Sequence, residues 1–339
     1  MKVLFLGGTG NISSACVERA LAQGHQVSIL TRGRRELAFS GAVTAIEGDR
    51  HDGQRLRQVA QEGRYDVVVS FIGFTAEDVA LDIEAFGGQV GQYIHISSAS
   101  AYQKPPTSYL ITESTPLHNP FWQYSRDKIA CEQTLMDAYR EQGFPVTIVR
   151  PSYTYGPTWI PSGVGGHGYT VLHRLRTGQP IISHGDGSSL WVMTHTTDFA
   201  VGLVGLFGLP QARGEAYHIT GDEVLTWDQI YRTIAAAAGV EAKLVHIPSD
   251  LIAALAPDWG ASLLGDKAHS VVFDNTKIKR AVPGYGAMVP FAEGIRRSIA
   301  WHDADPAARC VPNVEADRRM DAIVAAYQRL CREIAPPNE

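Results

Sequence analysis

The sequence predicts an α/β fold, a doubly wound parallel sheet followed by a smaller mixed C-terminal lobe. Three observations predict it. Short, wholly apolar runs of strand length alternate with helical segments over the N-terminal half, the pattern of a parallel sheet covered on both faces. A glycine turn, Gly7-Gly-Thr-Gly10, joins the first run to the first helix. After Pro151 the alternation stops, and Gly, Pro and aromatic residues crowd the chain as far as Gly187, which suits loops lining a cleft.

The elements follow in order. Residues 3–6 form the first strand, and the helix behind the glycine turn reaches about Ala22, where Gly24 and His25 end it. Strands follow at 26–31, 43–47, 66–70 and 93–97, with helices between. A helix opening near Tyr124 leads to a sixth strand at 146–149. Helix signals return at 197–208 and 226–238, and 216–220 reads as one more sheet strand. The expected division is a dinucleotide-binding domain over 1–165 that also receives about 193–220. A substrate lobe takes 166–192 and 221–335, leaving 336–339 as a frayed tail.

Composition excludes several classes. The chain has 339 residues, 45% apolar and 19% charged, as a soluble globular protein has. A net charge of −5 offers no general attraction to nucleic acid or to an anionic membrane. The longest apolar run, 199–209, is about half the twenty or so residues a membrane helix needs. The 3–6 run is too short for a signal peptide, so a cytoplasmic location is expected. Cys16, Cys131, Cys310 and Cys331 are scattered and read as reduced thiols. The twelve histidines show no metal-site spacing, and no metal is expected. His95 alternates with apolar neighbours and reads as a core residue, whereas His195, just ahead of a helix, is a candidate for facing substrate.

The glycine turn marks the cofactor end. Gly7 and Gly10 follow a strand and open a helix, so backbone N–H groups around Thr9, Asn11 and Ile12 are expected to meet a pyrophosphate. Ser13 replaces the third glycine of the usual turn and is small enough to do so. The second strand ends in Thr31, where a carboxylate for the adenosine 2′-hydroxyl is usual, and Arg32, Arg34 and Arg35 follow. That exchange favours a 2′-phosphate, hence NADP over NAD. Asp49 and Arg50 after the third strand are expected beside the adenine, and Phe71-Ile72-Gly73 after the fourth beside the ribose.

The chemistry centres on Tyr124 and Lys128. Residues at i and i+4 share a helix face, so phenol and ammonium point into one space. A nearby ammonium favours the phenolate and lowers the tyrosine pKa, which suits proton exchange with an alcohol or carbonyl. Ser97-Ser98 ends the fifth strand and supplies a hydroxyl for the same substrate oxygen.

GGTG at 7–10, ISSASAY at 96–102, YSRDK at 124–128, RPSYTYGP at 150–157 and GDG at 185–187 stand in the order found in one family. The chain resembles the extended short-chain dehydrogenase/reductase family, the NAD-dependent epimerase/dehydratase group. The resemblance implies a Rossmann domain for NAD(P) and a C-terminal lobe for a carbohydrate-like substrate. It implies Tyr124 as acid/base, Lys128 as its partner on the nicotinamide ribose, and Ser98 as donor to the substrate oxygen. Ser97 and Ser100 are lesser candidates for that donor, and Pro151 to Tyr153 would flank the nicotinamide. A homodimer is a family expectation.

Departures narrow the chemistry. Ala99 and Ser100 stand where the family's dehydratases and decarboxylases carry carboxylates, leaving oxidation, reduction or epimerisation. Trp191 replaces the arginine that grips a diphosphate, and Leu264 lies near the place of a second, with Lys267 the nearest cation. An aromatic there suits a sugar ring or apolar body, so Ser100, Tyr102, Trp191 and His195 are the substrate candidates. TRG at 31–33 and GDRHD at 48–52 also resemble the chloroplast stem-loop-binding branch. That likeness keeps an RNA-associated or regulatory protein open as an alternative, beside an NADP-dependent reductase of a non-nucleotide molecule. The retained Tyr124 and the acidic net charge weigh against RNA.

Overall fold

The computed structural model describes residues 1–34, 38–286 and 289–334. Arg35 of the expected guanidinium cluster, and the 336–339 tail, lie outside the described residues.

Seven parallel strands make the main sheet. Their order runs from β3 (Val43–Glu47) through β2 (Gln26–Thr31), β1 (Lys2–Leu6), β4 (Val67–Ser70) and β5 (Gln92–Ile96) to the strands Val146–Pro151 and Glu215–Ile219. Each expected strand forms within a residue or two of its expected bounds.

These strands are apolar on both faces because both are covered. In β1, Val3 and Phe5 enter one core layer with α1 (Asn11–Ala22) and the helix Thr196–Gly205. Leu4 and Leu6 enter the opposite layer with α2 (Gly53–Gly63), α3 (Ala76–Phe86) and α4 (Gln123–Gln142). Full burial of each such side chain contributes about 1.5–3 kcal/mol.

Sheet order reverses between β1 and β4, and doubly wound folds bind ligands at the carboxyl ends of strands flanking such a reversal. The glycine turn leaves β1 there, and Phe71, Ile72 and Gly73 leave β4. Gly7 has φ +81°, and a Cβ on it would fall 2.6 Å from Ile72 Cγ2, so the two loops touch. The β4 loop is fixed in turn by α3. Asp78 Oδ2 accepts the N–H groups of Phe74 (2.8 Å) and Thr75 (3.1 Å), and Thr75 caps the helix through the Asp78 N–H.

The chain divides into two compact units. The first holds Met1–Thr154, Met193–Asp222 and Phe273–Met288, and the second Tyr155–Val192, Glu223–Val272 and Val289–Glu339. Within the second, strand Ile181–His184 pairs in parallel with Leu244–Ile247. Ile182, Ile247, Leu263 and Met320 are among the residues of its core. No helix among the described residues is long and apolar enough to cross a membrane.

Candidate active site

Helix α4 starts directly after Trp122, so Tyr124 and Lys128 occupy its first two turns on one face. Lys128 is 1% exposed. Its Nζ donates to the Gly73 carbonyl at 2.7 Å and the Ile96 carbonyl at 2.8 Å. It lies 5.8 Å from the Tyr124 ring centre and 4.9 Å from that of Phe74. Burial lowers the Lys128 pKa to about 8, with nearby Cys131 and Glu132 opposing the shift. Tyr124 is half-buried, its ring 4.9 Å from that of Trp122.

Ser98 follows β5 and caps a short 3-10 turn, Ala99–Ala101, by accepting the Ser100 N–H at 3.2 Å. Its Oγ lies 2.9 Å from Ser100 Oγ, which also accepts from Ser125 Oγ at 2.8 Å. Asn119 holds the far side: its Nδ2 donates to the Ser100 carbonyl, while its Oδ1 accepts from the N–H groups of Phe121 and Trp122. The sequence reading missed Asn119 and Ser125. Only the placement of Ser125 one residue past Tyr124, on the buried face of α4, signalled a role for it.

The structure brings Tyr124, Lys128 and Ser98 together in one unit, and it places several other candidates differently from expectation. Ser97 is 2% exposed and donates inward to Glu132, which pairs with Arg150 in the interior. Ser100 is enclosed beneath Ser98. Tyr102 is wholly buried, its hydroxyl 3.1 Å from His218 Nδ1. Trp191 is wholly buried against Trp227, ring centres 5.7 Å apart, so the aromatic after the GDG turn is core rather than a stacking surface. His195 is 2% exposed and caps the helix Thr196–Gly205 through the Thr197 N–H.

The cofactor candidates divide likewise. Gly10 is the N-cap of α1, and its own N–H donates to Ser13 Oγ at 2.8 Å, which gives the substituted serine a part in shaping the turn. A Cβ on Gly10 would lie 3.3 Å from Ser13 Oγ, closer than ordinary van der Waals contact. The N–H groups of Asn11, Ile12 and Ser13 belong to the first turn of α1, the end of a helix that attracts anions. Thr9, Asn11 and Ile12 are half-buried around it. Arg32 and Asp49 are exposed beyond β2 and β3, beside half-buried Thr31. The His51 backbone N–H, with smaller contributions from the His51 ring and Arg32, holds the Asp49 carboxyl below its ordinary range.

Arg50 differs from its neighbours. Its guanidinium turns inward to Asp82 (3.0 Å) and to the carbonyls of Ile72 and Asp78, which braces the β4 loop and removes it from an adenine. Phe71 and Ile72 are half-buried, Gly73 and Pro151 buried, and Tyr153 half-buried at the strand ends. Glycine turn, helix start, exposed Arg32 and buried ammonium together fit a dinucleotide. Among the described residues no group of three His, Cys, Asp or Glu is placed to hold a metal ion.

Comparison with known proteins identifies the family and the fold. The model of the NAD dependent epimerase/dehydratase family matches residues 3–87 and 78–219. A 2′-dehydrokanamycin reductase of Streptomyces kanamyceticus is 26% identical over 84% of this chain and 80% of its own length. The chloroplast stem-loop binding protein of 41 kDa b of Arabidopsis thaliana is 28% identical over 72% of this chain and 65% of its own length. Among solved structures, a UDP-glucose 4-epimerase of Bifidobacterium longum in complex with NAD+ and UDP superposes with a TM-score of 0.73 at 19% identity. It covers 90% of this chain and 99% of that one, a likeness of fold.

Proposed function

The chain belongs to the NAD-dependent epimerase/dehydratase family as an enzyme of the extended short-chain dehydrogenase/reductase type, and on that premise we propose that it oxidises a secondary alcohol or reduces a ketone on a carbohydrate-like substrate with NAD(P). Bound NAD(P) supplies or accepts the hydride at its nicotinamide C4. Tyr124 gives a proton to the carbonyl oxygen in reduction and takes it from the hydroxyl in oxidation. Ser98 Oγ donates to that oxygen, held in place by the Ser100 hydroxyl. Lys128 favours the Tyr124 phenolate by its charge, and with two N–H groups on carbonyls it keeps a third for a ribose hydroxyl.

The observation that carries this reading is the seat of Lys128. A lysine buried on two backbone carbonyls beside a tyrosine has no stabilising advantage over an apolar residue of its size, whereas it suits an ammonium that must tune a phenol. Arg32 supports NADP, and the name of the 2′-dehydrokanamycin reductase supports a net reductase of a non-nucleotide substrate. The epimerase titles among the solved structures support an enzyme that returns the hydride instead. A cytoplasmic homodimer belongs to the same proposal. The stem-loop-binding relative favours an RNA-associated alternative, against which stand the retained Tyr124 and the net charge of −5.

Denaturing freshly purified protein and identifying any released nucleotide tests the proposal. Tightly held NAD would indicate an epimerase-type cycle; an empty site that binds NADPH would indicate an exchanging reductase. Failure to bind either nucleotide, or turnover retained by Tyr124→Phe, would refute the proposed chemistry.

A further inference from the structure

Phe74 keeps 47% of its surface in water, although its ring lies 4.9 Å from the Nζ of Lys128, which is 1% exposed. The loop after β4 therefore meets the ammonium twice, through the Gly73 carbonyl at 2.7 Å and through the next side chain. The loop is held there, because Asp78 Oδ2 accepts the Phe74 N–H at 2.8 Å. The negative face of an aromatic ring attracts a cation within about 6 Å of the ring centre, most strongly where water is excluded. Phe74 is well inside that reach, and the Tyr124 ring, at 5.8 Å, is farther.

The other groups facing Lys128 give its charge little support. Glu132, one turn along α4, is paired with Arg150. Asp78, on α3, faces Arg50 and accepts the N–H groups of Phe74 and Thr75. Burial pushes the Cys131 thiol up to about 12 and the His95 imidazole, on β5, well below its ordinary range, so neither carries charge near neutrality. Arg50 adds a like charge. A carboxylate in direct contact would keep the lysine protonated, but it would also cancel the field of the ammonium at the Tyr124 phenol. Carbonyl oxygens and a ring face stabilise the cation and leave its net charge in place.

We propose that Phe74 is a positioning residue that acts through Lys128, its ring face keeping the ammonium charged beside Tyr124 without a counter-ion. This role rests on the oxidoreductase reading above, in which the charge serves the phenol.

The test reads the charge directly, in the full chain carrying lysine labelled with carbon-13 at Cε. The Lys128 signal, assigned by its loss in Lys128→Arg, is followed by NMR across the alkaline range. Replacing Phe74 with pentafluorophenylalanine keeps the shape of the ring and reverses the polarity of its face. It is expected to move the Lys128 midpoint acidward by about half a pH unit or more, with the melting temperature unchanged. Phe74→Leu, an apolar cover without a ring face, is expected to move the midpoint the same way, and Phe74→Trp to leave it at or above the wild-type value. An unchanged or raised midpoint in the fluorinated chain would overturn the proposal. So would a Lys128 that stays charged throughout the range in wild-type and fluorinated chains alike, because its charge would not depend on the ring. Should Phe74→Leu fail to fold, the fluorinated chain decides. Failure of the wild type to bind NADPH would refute the oxidoreductase reading whatever the midpoints, and with it the purpose of the charge.

Discussion

The Lys128 ammonium meets the Gly73 carbonyl at 2.7 Å, tying the helix that carries Tyr124 to the loop that leaves β4 at the reversal of the sheet. The tie joins the two halves of the site, since the same loop contacts the glycine turn through Ile72. The proposed proton-handling and cofactor-binding residues therefore share one support.

That support sets a pH dependence. Burial lowers the Lys128 pKa from 10.5 to about 8. Between those values the unfolded chain binds a proton that the folded chain has released, so the Lys128 contribution to stability rises with pH through that window and declines as pH falls. Activity runs the other way. Above about pH 8 the ammonium that favours the phenolate is lost, so turnover is expected to fall on the alkaline side with a midpoint near 8. Lys128→Arg, which stays charged, is expected to remove that limb from the pH–rate profile even at a lower maximum. A wild-type profile level to pH 10 would contradict the assignment.

Ser125 is expected to position the proposed substrate donor, Ser98, without touching substrate. Its hydroxyl donates to Ser100 Oγ, against which Ser98 Oγ is set. Removing one such hydrogen bond costs about 0.5–1.5 kcal/mol, so Ser125→Ala is expected to lower kcat roughly two- to tenfold with NADPH affinity unchanged. Ser125→Thr, which keeps the donor, is expected to recover most of the loss. Wild-type kcat in Ser125→Ala would remove Ser125 from this role.

Most of the sheet was legible because both of its faces are covered. Val3 to Leu6 and Val67 to Val69 have no polar side chain, and only a buried parallel strand tolerates that. The shared face of Tyr124 and Lys128 was legible because i,i+4 spacing on a helix fixes direction. The substrate side was not. Trp191 and His195 were singled out by position in the chain, yet whether an aromatic or imidazole packs inward depends on partners such as Trp227 and Thr197 that no local pattern announces. Arg50 misled for the same reason, because Asp82 lies 32 residues away and recruits it into the interior. Asn119 binds only backbone atoms in the contacts described above, and such bonds leave no periodic signal.

The buried Glu132–Arg150 pair is expected to matter for folding more than for chemistry. Both side chains are nearly enclosed, and Ser97 adds a third hydrogen bond. Glu132→Ala would leave a buried guanidinium without its counter-charge, which costs about 3–5 kcal/mol. The expected outcome is a fall of several degrees in melting temperature, read by thermal unfolding. An unchanged melting temperature would show that water or another group satisfies Arg150.

Arg32 is expected to decide between the two nicotinamide cofactors. It is exposed, follows the half-buried Thr31 at the end of β2, and has the Asp49 carboxylate within electrostatic reach. Thr31 offers no carboxylate for a ribose 2′-hydroxyl, while a guanidinium beside it would recognise a 2′-phosphate. A hydrogen bond to a charged group contributes about 1.5–3 kcal/mol, equivalent to roughly ten- to a hundredfold in Kd. Arg32→Ala is therefore expected to weaken NADPH binding by that factor and to leave NADH binding within about twofold. Added salt is expected to weaken NADPH binding to the wild type more than to the variant, because the lost contact is ionic and exposed. Titration of bound-nucleotide fluorescence measures all three. Equal losses for NADPH and NADH would place Arg32 in the stability of the turn, and the preference for NADP would then have no residue to rest on.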